Sequence, residues 1–405
     1  MSRPHRGSAP ASPPVDLHAD VGGNRVTLHH DHHGLLAMRD AIVGARDEIL
    51  LEMYWFGSDH TGWLFAKALA AAARAGCRVC LVYDAVGSIG SDEVMFDAMR
   101  AAGCKVVQYH PIAPWRARFR LGRIGHRNHR KLLVVDGRIA MIGGINIGDP
   151  WAERGAGGGG WRDDLVEIEG PAAAAVRGIF QRSWDVLGAD PGEGGDDDDQ
   201  GFAFEVGDAR VRVLGNHYRD ERKVIRAAYL TRIHRATATL YIANPYFVPD
   251  RTIRRALRAA VRRGVDVRVL VPGESDVPAV AWASRAFYDE LLRAGVRIFE
   301  WRGDVAPGHR AFATGGATAA VLHAKTACGD DDWLTIGTYN LDARSGRYNL
   351  EINAMIEDHT LARGARKRFL QDLEQAHELT LPVWRDRPML QRVLEAFFAF
   401  FAGWL

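Results

Sequence analysis

The chain reads as an α/β protein built twice. Helix-like and strand-like segments alternate along it, which predicts a sheet covered by helices on both faces. The same order of segments restarts after an acidic, glycine-rich stretch near the middle. At 405 residues, with 47% hydrophobic and 25% charged, the chain is too long for one ordinary core and too apolar to be disordered.

Residues 1–22 are rich in Pro, Ser and Ala without periodicity and are expected to form a disordered arm. The first domain, expected over 23–187, starts with a helical stretch through Leu36, Ile42 and Ala45, then a strand EILLEMYWF and a helix from Thr61 to Ala75. A strand RVCLVYD, a helix from Asp92 to Ala102 and a strand KVVQYH follow. Residues 188–201, GADPGEGGDDDDQG, hold six acids and five glycines, cannot pack a core, and read as a linker. The second domain, expected over 202–405, repeats the pattern. It has a helix near 219–236, a strand TLYIANPYF, a helix RTIRRALRAAVRRG, a strand VDVRVLV, a helix around 279–294 and a strand VRIFE. Gly76 before RVCLVYD answers Gly264 before VDVRVLV, an offset of 264 − 76 = 188.

The repeat carries chemistry. The first half contains His129, Lys131 and Asp136 and the second His323, Lys325 and Asp330, both in the pattern H-x-K-x-x-x-x-D. The offset of 323 − 129 = 194 persists through Gly143 and Gly337 to Asn146 and Asn340. A His and a Lys two apart on extended chain leave the same face, so each half offers an imidazole, an ammonium and a carboxamide to one point. A phosphodiester needs a nucleophile, donors for its charged oxygens and an acid for the leaving alkoxide. Two imidazoles supply attack and proton transfer, two Lys and two Asn the donors, and no cofactor or metal is called for. One such motif alone would be matched as well by an ordinary strand histidine; two in equivalent places would not. Asp163 in WRD and Glu351 in NLE stand at matching places downstream, allowing for the insertion RGAGGGG, and are the expected orienting carboxylates. Asp136 and Asp330 fall at turns and are expected to be structural.

These residues are similar to the phospholipase D superfamily, and HAKTACGDDDWLTIGTYNLDARSGRYNLEINAMI resembles the bacterial cardiolipin synthases in particular. The resemblance covers roughly residues 24–380 and implies the phospholipase D fold: two α/β/α sandwich domains related by pseudo-twofold symmetry, with the active site at their interface. It implies His129 as nucleophile and His323 as general acid, with phospholipid substrates, phosphatidylglycerol among them, in preference to nucleic acid. The implied reaction joins phosphatidylglycerol to a second phospholipid through a phosphohistidine; the alternative with the same residues is hydrolysis of a lipid or nucleic-acid phosphodiester. Many cardiolipin synthases begin with two membrane-spanning helices. This chain has no comparable apolar run and no signal peptide, and resembles the shorter type, expected in the cytoplasm as a peripheral protein at the inner face of the cell membrane.

Outside the motifs, WRARFRLGRIGHRNHRK (Trp115 to Lys131) holds six arginines and no acid. Arg116, Arg118, Arg120, Arg123, Arg127 and Arg130 are expected to meet phosphate or an anionic membrane surface. The formal net charge is only +2, so any such attraction is local. The aromatic C-terminal stretch MLQRVLEAFFAFFAGWL is too short to span a membrane and reads either as an interfacial anchor or as a docked helix. His29, His30, His32 and His33 in HHDHH suggest metal by composition only, and no native metal site is expected there. Cys77 and Cys80, on a strand-like run, are expected to be buried thiols and not a redox pair.

Overall fold

The computed structural model describes residues 17–115, 119–123, 125–187, 210–216, 223–303 and 320–403. They form two eight-stranded mixed sheets. The first half contributes β1 (Leu17–Val21), β2 (Asn24–His30), α1 (His32–Gly44), β3 (Glu48–Met53), α2 (His60–Arg74), β4 (Arg78–Asp84), α3 (Glu93–Ala101), β5 (Lys105–Tyr109), β6 (Leu132–Val135), β7 (Ile139–Gly143), β8 (Asp164–Glu169) and α4 (Ala172–Val186). The second contributes β9 (Val211–Gly215), α5 (Val224–Arg235), β10 (Thr239–Ala243), α6 (Arg251–Arg262), β11 (Asp266–Pro272), α7 (Pro278–Arg285), α8 (Tyr288–Arg293), β12 (Arg297–Trp301), β13 (Thr326–Gly329) and β14 (Trp333–Gly337). It is completed by α9 (Ala343–Arg347), β15 (Ile352–Ile356), α10 (His359–Glu374), β16 (Ala376–Leu379), α11 (Leu381–Arg385) and α12 (Met389–Phe400).

The sheet orders display the duplication. The run β2-β8-β7-β6-β3-β4-β5 in one sheet matches β9-β15-β14-β13-β10-β11-β12 in the other, with β1 and β16 added at opposite edges. In both, the strands after the motif are antiparallel to the central strand, which is itself parallel to its next neighbour. The inner faces of both sheets share one core with α4 and α10, through residues such as Val176, Phe180, Leu361 and Phe369. Helices α1, α2 and α3 cover the outer face of the first sheet, and α5, α6 and α8 that of the second.

Local chemistry sets the boundaries. Asp59, Asp92, Asp250 and Asp358 each accept a backbone N–H in the first turn of the helix that follows, which fixes four starts. Gly76 and Gly264 stop α2 and α6 at φ 98° and 91°, a left-handed conformation that glycine adopts without strain. Asp136 and Asp330, both at φ 51°, serve their turns in the same way. The Asp136 carboxylate accepts the amides of Arg46, Asp47 and Glu48, and Asp330 those of Thr237, Ala238 and Thr239. These amides hold each carboxyl below its usual pKa against the opposing effect of burial.

Two expectations need correction. Residues 17–22 of the expected disordered arm are structured, because Leu17–Val21 pairs antiparallel with β2 across a turn at Gly22 and Gly23. The single helix around 279–294 is two, α7 and α8. The HHDHH run straddles the end of β2 and the start of α1. The 188–201 linker lies outside the described residues. All four cysteines are buried free thiols.

Candidate active site

Each motif begins in extended chain just ahead of its strand, and each is paired by backbone to the other half. His129 N–H donates to the Leu350 carbonyl at 2.9 Å while Leu350 N–H donates to the Arg127 carbonyl at 2.9 Å. In the second motif His323 N–H donates to the Arg162 carbonyl at 2.7 Å while Arg162 N–H donates to the Val321 carbonyl at 2.9 Å. These two short parallel bridges follow the same register, and the residue after each bridging partner is an acid: Glu351 after Leu350, Asp163 after Arg162. The carboxylates are therefore exchanged between the halves. His129 Nδ1 meets Glu351 Oε2 at 3.0 Å, and His323 Nδ1 meets Asp163 Oδ2 at 2.7 Å. With Nδ1 engaged in this way, the Nε2 of each ring is the nitrogen turned away from the carboxylate, and that of His323 has Lys325 Nζ 3.1 Å away.

Each acid is itself held. Glu351 accepts from the hydroxyls of Thr338 at 2.6 Å and Ser345 at 2.7 Å. Asp163 accepts from Trp151 Nε1 at 2.9 Å and from the Asp164 amide at 2.9 Å. A Cβ at Gly144 would stand 2.1 Å from Asp163 Oδ1, so the loop after β7 needs glycine there. Both acids are fully buried, yet the facing His and the donors around them hold their pKa values below the ordinary range.

Lys131 Nζ donates to the His129 carbonyl at 2.9 Å and lies 5.1 Å from the centre of the Tyr54 ring. Lys325 Nζ donates to the His323 carbonyl at 2.5 Å and lies against the same residue's imidazole. Burial first, and then the neighbouring Lys325, lower Lys131 to about 7; burial lowers Lys325 to about 8. Burial likewise lowers His129 to about 4 and depresses His323, so both imidazoles are neutral near pH 7 in the free site. Asn146 and Asn340 sit three residues beyond the strands, in the loops, and not at the strand ends. Asn146 Oδ1 accepts from the Trp55 amide at 3.1 Å, which leaves its NH2 available, and the buried Asn340 Oδ1 has no partner among the described residues.

Sequence reasoning missed the aromatic walls. Tyr54 stands edge-on to His129 at 4.9 Å, and Tyr246, an offset of 246 − 54 = 192, edge-on to His323 at 6.4 Å. Trp151 and Trp161 pack on His323 at 5.3 and 5.7 Å. The offset of the tyrosines, close to that of the motifs, was the available signal.

The arginine-rich segment divides. Arg120 is exposed and Arg123 half-buried, while Arg116 and Arg118 lie outside the described residues. Arg127 and Arg130 are at 1% and 0% exposure and do not face lipid or solvent, which corrects their expected role. Arg127 lies 3.6 Å from Asp84 and donates to the His110 carbonyl at 3.0 Å. Arg130 donates to Ser183 Oγ at 2.8 Å, to the Asn216 carbonyl and to the Glu351 carbonyl at 3.3 Å, stitching the halves together beside Glu52. An arginine running into a buried motif is pulled in by buried acids, which composition does not reveal. In the HHDHH run, His29 pairs with Glu167 at 2.9 Å and His30 with Asp164 at 2.6 Å, on a flank of the sheet.

A duplicated α/β chain in which each half's motif imidazole is held by a carboxylate of the other half defines a two-motif protein of the phospholipase D fold. The family model described as "Cardiolipin synthase, PLD-like domain" matches residues 38–184 and again 229–373. The cardiolipin synthase of Geobacillus thermodenitrificans is 31% identical over 376 residues, covering 93% of this chain and 71% of that protein. Cardiolipin synthase A of Pseudomonas putida is 35% identical over 361 residues, covering 87% and 69%. The cardiolipin synthase of Geobacillus kaustophilus is 32% identical, and here the match covers 66% of that protein, so the chain spans about two-thirds of the length of such relatives. Among solved structures, the phosphatidylserine synthase of Haemophilus influenzae superposes with a TM-score of 0.64 at 14% identity, over 96% of this chain and 94% of that one, a likeness of fold. The chain belongs to the cardiolipin synthase, PLD-like domain family.

Proposed function

We propose that the chain is a phosphatidyltransferase that forms cardiolipin from phosphatidylglycerol and a second phospholipid, acting as a peripheral protein on the anionic inner face of the cell membrane. The observation that carries the reading is the exchanged pair of His–carboxylate contacts, His129 with Glu351 and His323 with Asp163, in a chain of this family. His129, neutral and with Nδ1–H directed to Glu351, has its Nε2 lone pair ready for phosphorus. Attack forms the P–N bond and breaks the P–O bond to the departing alcohol, whose oxygen takes a proton from His323. The acceptor hydroxyl of phosphatidylglycerol then gives its proton to His323 and its oxygen attacks phosphorus, breaking P–N and freeing His129.

His323 must be protonated for the first step, although burial and Lys325 depress it in the free site. The negative charge of the bound diester opposes both effects and draws protons onto His323 and the two lysines. Lys131, Lys325 and the carboxamides of Asn146 and Asn340 supply donors for the non-bridging oxygens. Tyr54 beside His129, and Trp151, Trp161 and Tyr246 around His323, limit water at the two imidazoles, which favours an alcohol acceptor over hydrolysis.

The test is incubation of the protein with phosphatidylglycerol vesicles and mass spectrometry of the lipids. Cardiolipin and free glycerol in equal amounts are expected, and neither with His129→Ala. Phosphatidic acid as the sole lipid product would make the protein a hydrolase, and cleavage of DNA without lipid turnover would replace the lipid reading by a nuclease one.

A further inference from the structure

Helix α12 is held in a fixed rotation against α7. Its Glu395, 2% exposed, accepts from Arg387 at 2.7 and 3.0 Å and from Arg285 at 3.4 Å. Arg285 is held in turn by Glu300 at 2.7 Å and by the face of Trp384 at 4.7 Å. On the same side Phe398 and Ala402 pack, with Tyr246 and Phe287, onto Val248, Val280 and Ala283. The opposite side is apolar as well. Met389, Val393, Phe397 and Phe400 follow at steps of four, four and three residues, one stripe of a helix, with Met389 79% and Phe400 83% exposed. Leu390 and Phe401 widen the stripe, and the one charged residue beside it, Arg392, donates to the Arg385 carbonyl. An apolar stripe of this size in water marks a surface that something covers.

Its neighbours identify the cover. Tyr246 packs in the cluster under α12 and also meets the His323 ring edge-on, so the helix lies one side chain away from a reacting imidazole. Phe287, in the same cluster, carries the Arg254 guanidinium 4.3 Å above its ring. Arg254 belongs to α6, and there Arg251, Arg255 and Arg262 share one exposed face with no acid partner among the described residues, since Glu290 is taken by Arg254 and Arg258. An apolar helix flanked by free arginines, next to a site for phosphodiester chemistry, fits a sheet of anionic headgroups over acyl chains.

We propose that α12 and the arginine face of α6 form the surface by which the protein docks on an anionic bilayer. The helix lies side-on in the interface with the Met389 to Phe400 stripe among the acyl chains, the α6 arginines rest on phosphates, and the His pair is brought to the headgroup level from the side of the second half. The inference rests on the lipid reading of the function.

Flotation with phosphatidylcholine vesicles, with and without phosphatidylglycerol, tests it. Val393→Asp, Phe397→Asp and Phe400→Asp together are expected to lower retention on both kinds of vesicle by about tenfold or more. Arg251→Glu, Arg255→Glu and Arg262→Glu together should lower it only where phosphatidylglycerol is present and remove its salt dependence. Both variants should turn over the soluble diester bis(p-nitrophenyl) phosphate like the unsubstituted protein, which certifies the fold. Should the triple Asp variant lose that turnover, Phe400→Trp with brominated lipid decides: quenched fluorescence supports docking and unquenched fluorescence overturns it. Retention of the Asp variant within about twofold of the unsubstituted protein would overturn the proposal. So would a shift from dimer to monomer in sedimentation without loss of vesicle binding, which would give the stripe to a second copy of the chain. Binding intact but no cardiolipin formed would defeat the functional reading and leave the docking surface standing.

Discussion

Glu351→Gln and Asp163→Asn remove the same charge from equivalent places, yet the structure predicts different outcomes. Glu351 receives one ring N–H, two hydroxyls and the Asn349 side-chain amide at 3.4 Å. If the amide NH2 introduced by Glu351→Gln replaces Oε1, the Ser345 hydroxyl can turn from donor to acceptor and the Asn349 amide, whose Oδ1 has no partner among the described residues, can flip, so that no donor faces another. What is lost is the charge in the His129 bond, roughly 1.5–3 kcal/mol, which is felt as the imidazole gains positive charge in attacking phosphorus. That corresponds to roughly a 10- to 200-fold fall in kcat with little change in stability. Asp163 is surrounded by rigid donors instead: the His323 ring and Trp151 Nε1 at Oδ2, and the Asp164 amide at Oδ1. Either orientation of the new amide sets N–H against N–H in a buried place, at a further cost of roughly 1–3 kcal/mol. At roughly 2–4 °C per kcal/mol, Asp163→Asn should lower Tm by about 2–12 °C, while Glu351→Gln moves it by less than about 2 °C. The kinetic contrast tests the exchange of acids between halves. With a p-nitrophenyl leaving group that needs no proton, Asp163→Asn should regain most of its phosphohistidine formation and Glu351→Gln should not, read by rapid quench and acid-labile phosphate. Rescue of Glu351→Gln and not of Asp163→Asn would refute the assignment of roles that the pairing supports.

The pH profile of kcat/KM for an anionic diester should fall on both sides. Below about 4 His129 is protonated and cannot attack; on the alkaline side the protonated His323 is lost first, because burial and Lys325 lower its pKa, and above pH 7–8 Lys131 and Lys325 also lose the charge that receives the substrate; a profile level to pH 10 would rule this out. Asp136→Ala and Asp330→Ala each leave three amides of a preceding turn without their carboxylate and should cost about 1–2 kcal/mol in denaturant unfolding, as lost caps do, with kcat/KM unchanged. Arg130→Gln takes from Glu52 its facing charge, leaving it the Asn128 amide, and takes a donor from acceptors of both halves, so denaturant titration should show a loss of about 3–5 kcal/mol, whereas retention on phosphatidylglycerol vesicles should stay the same.

The repeated H-x-K-x-x-x-x-D and the alternation of segments were enough to place α2, β4, α3 and β5 to within a residue or two, because these segments have strong periods and clear caps. The strands β2 and β9, equivalent in the two halves, escaped notice. Each lies on the far side of its sheet from the next strand in sequence and pairs with β8 or β15, more than 130 residues away. Asp163 and Glu351 were legible as acids at matched offsets. Which ring each serves was not, because the bridges at Asn128 and Arg162 are tertiary events that local pattern does not encode. The same holds for Arg127 and Arg130, whose charge suggested a surface while Asp84 and Glu52, far back in the chain, draw them inside.

The exchange of acids makes the two halves a coincidence detector. During synthesis the ribosome delivers His129 more than two hundred residues before Glu351, and until that residue arrives the imidazole has no anchor for Nδ1. His323 emerges after Asp163, but the two meet only when Arg162 and Leu322 close their backbone bridge. A half-made or split chain therefore holds a complete motif and no working base, and reactivity switches on only with correct docking. The same wiring restrains the descendants of the duplication. A change at either acid weakens the chemistry of the other repeat, so neither copy is free to decay while its twin carries on alone.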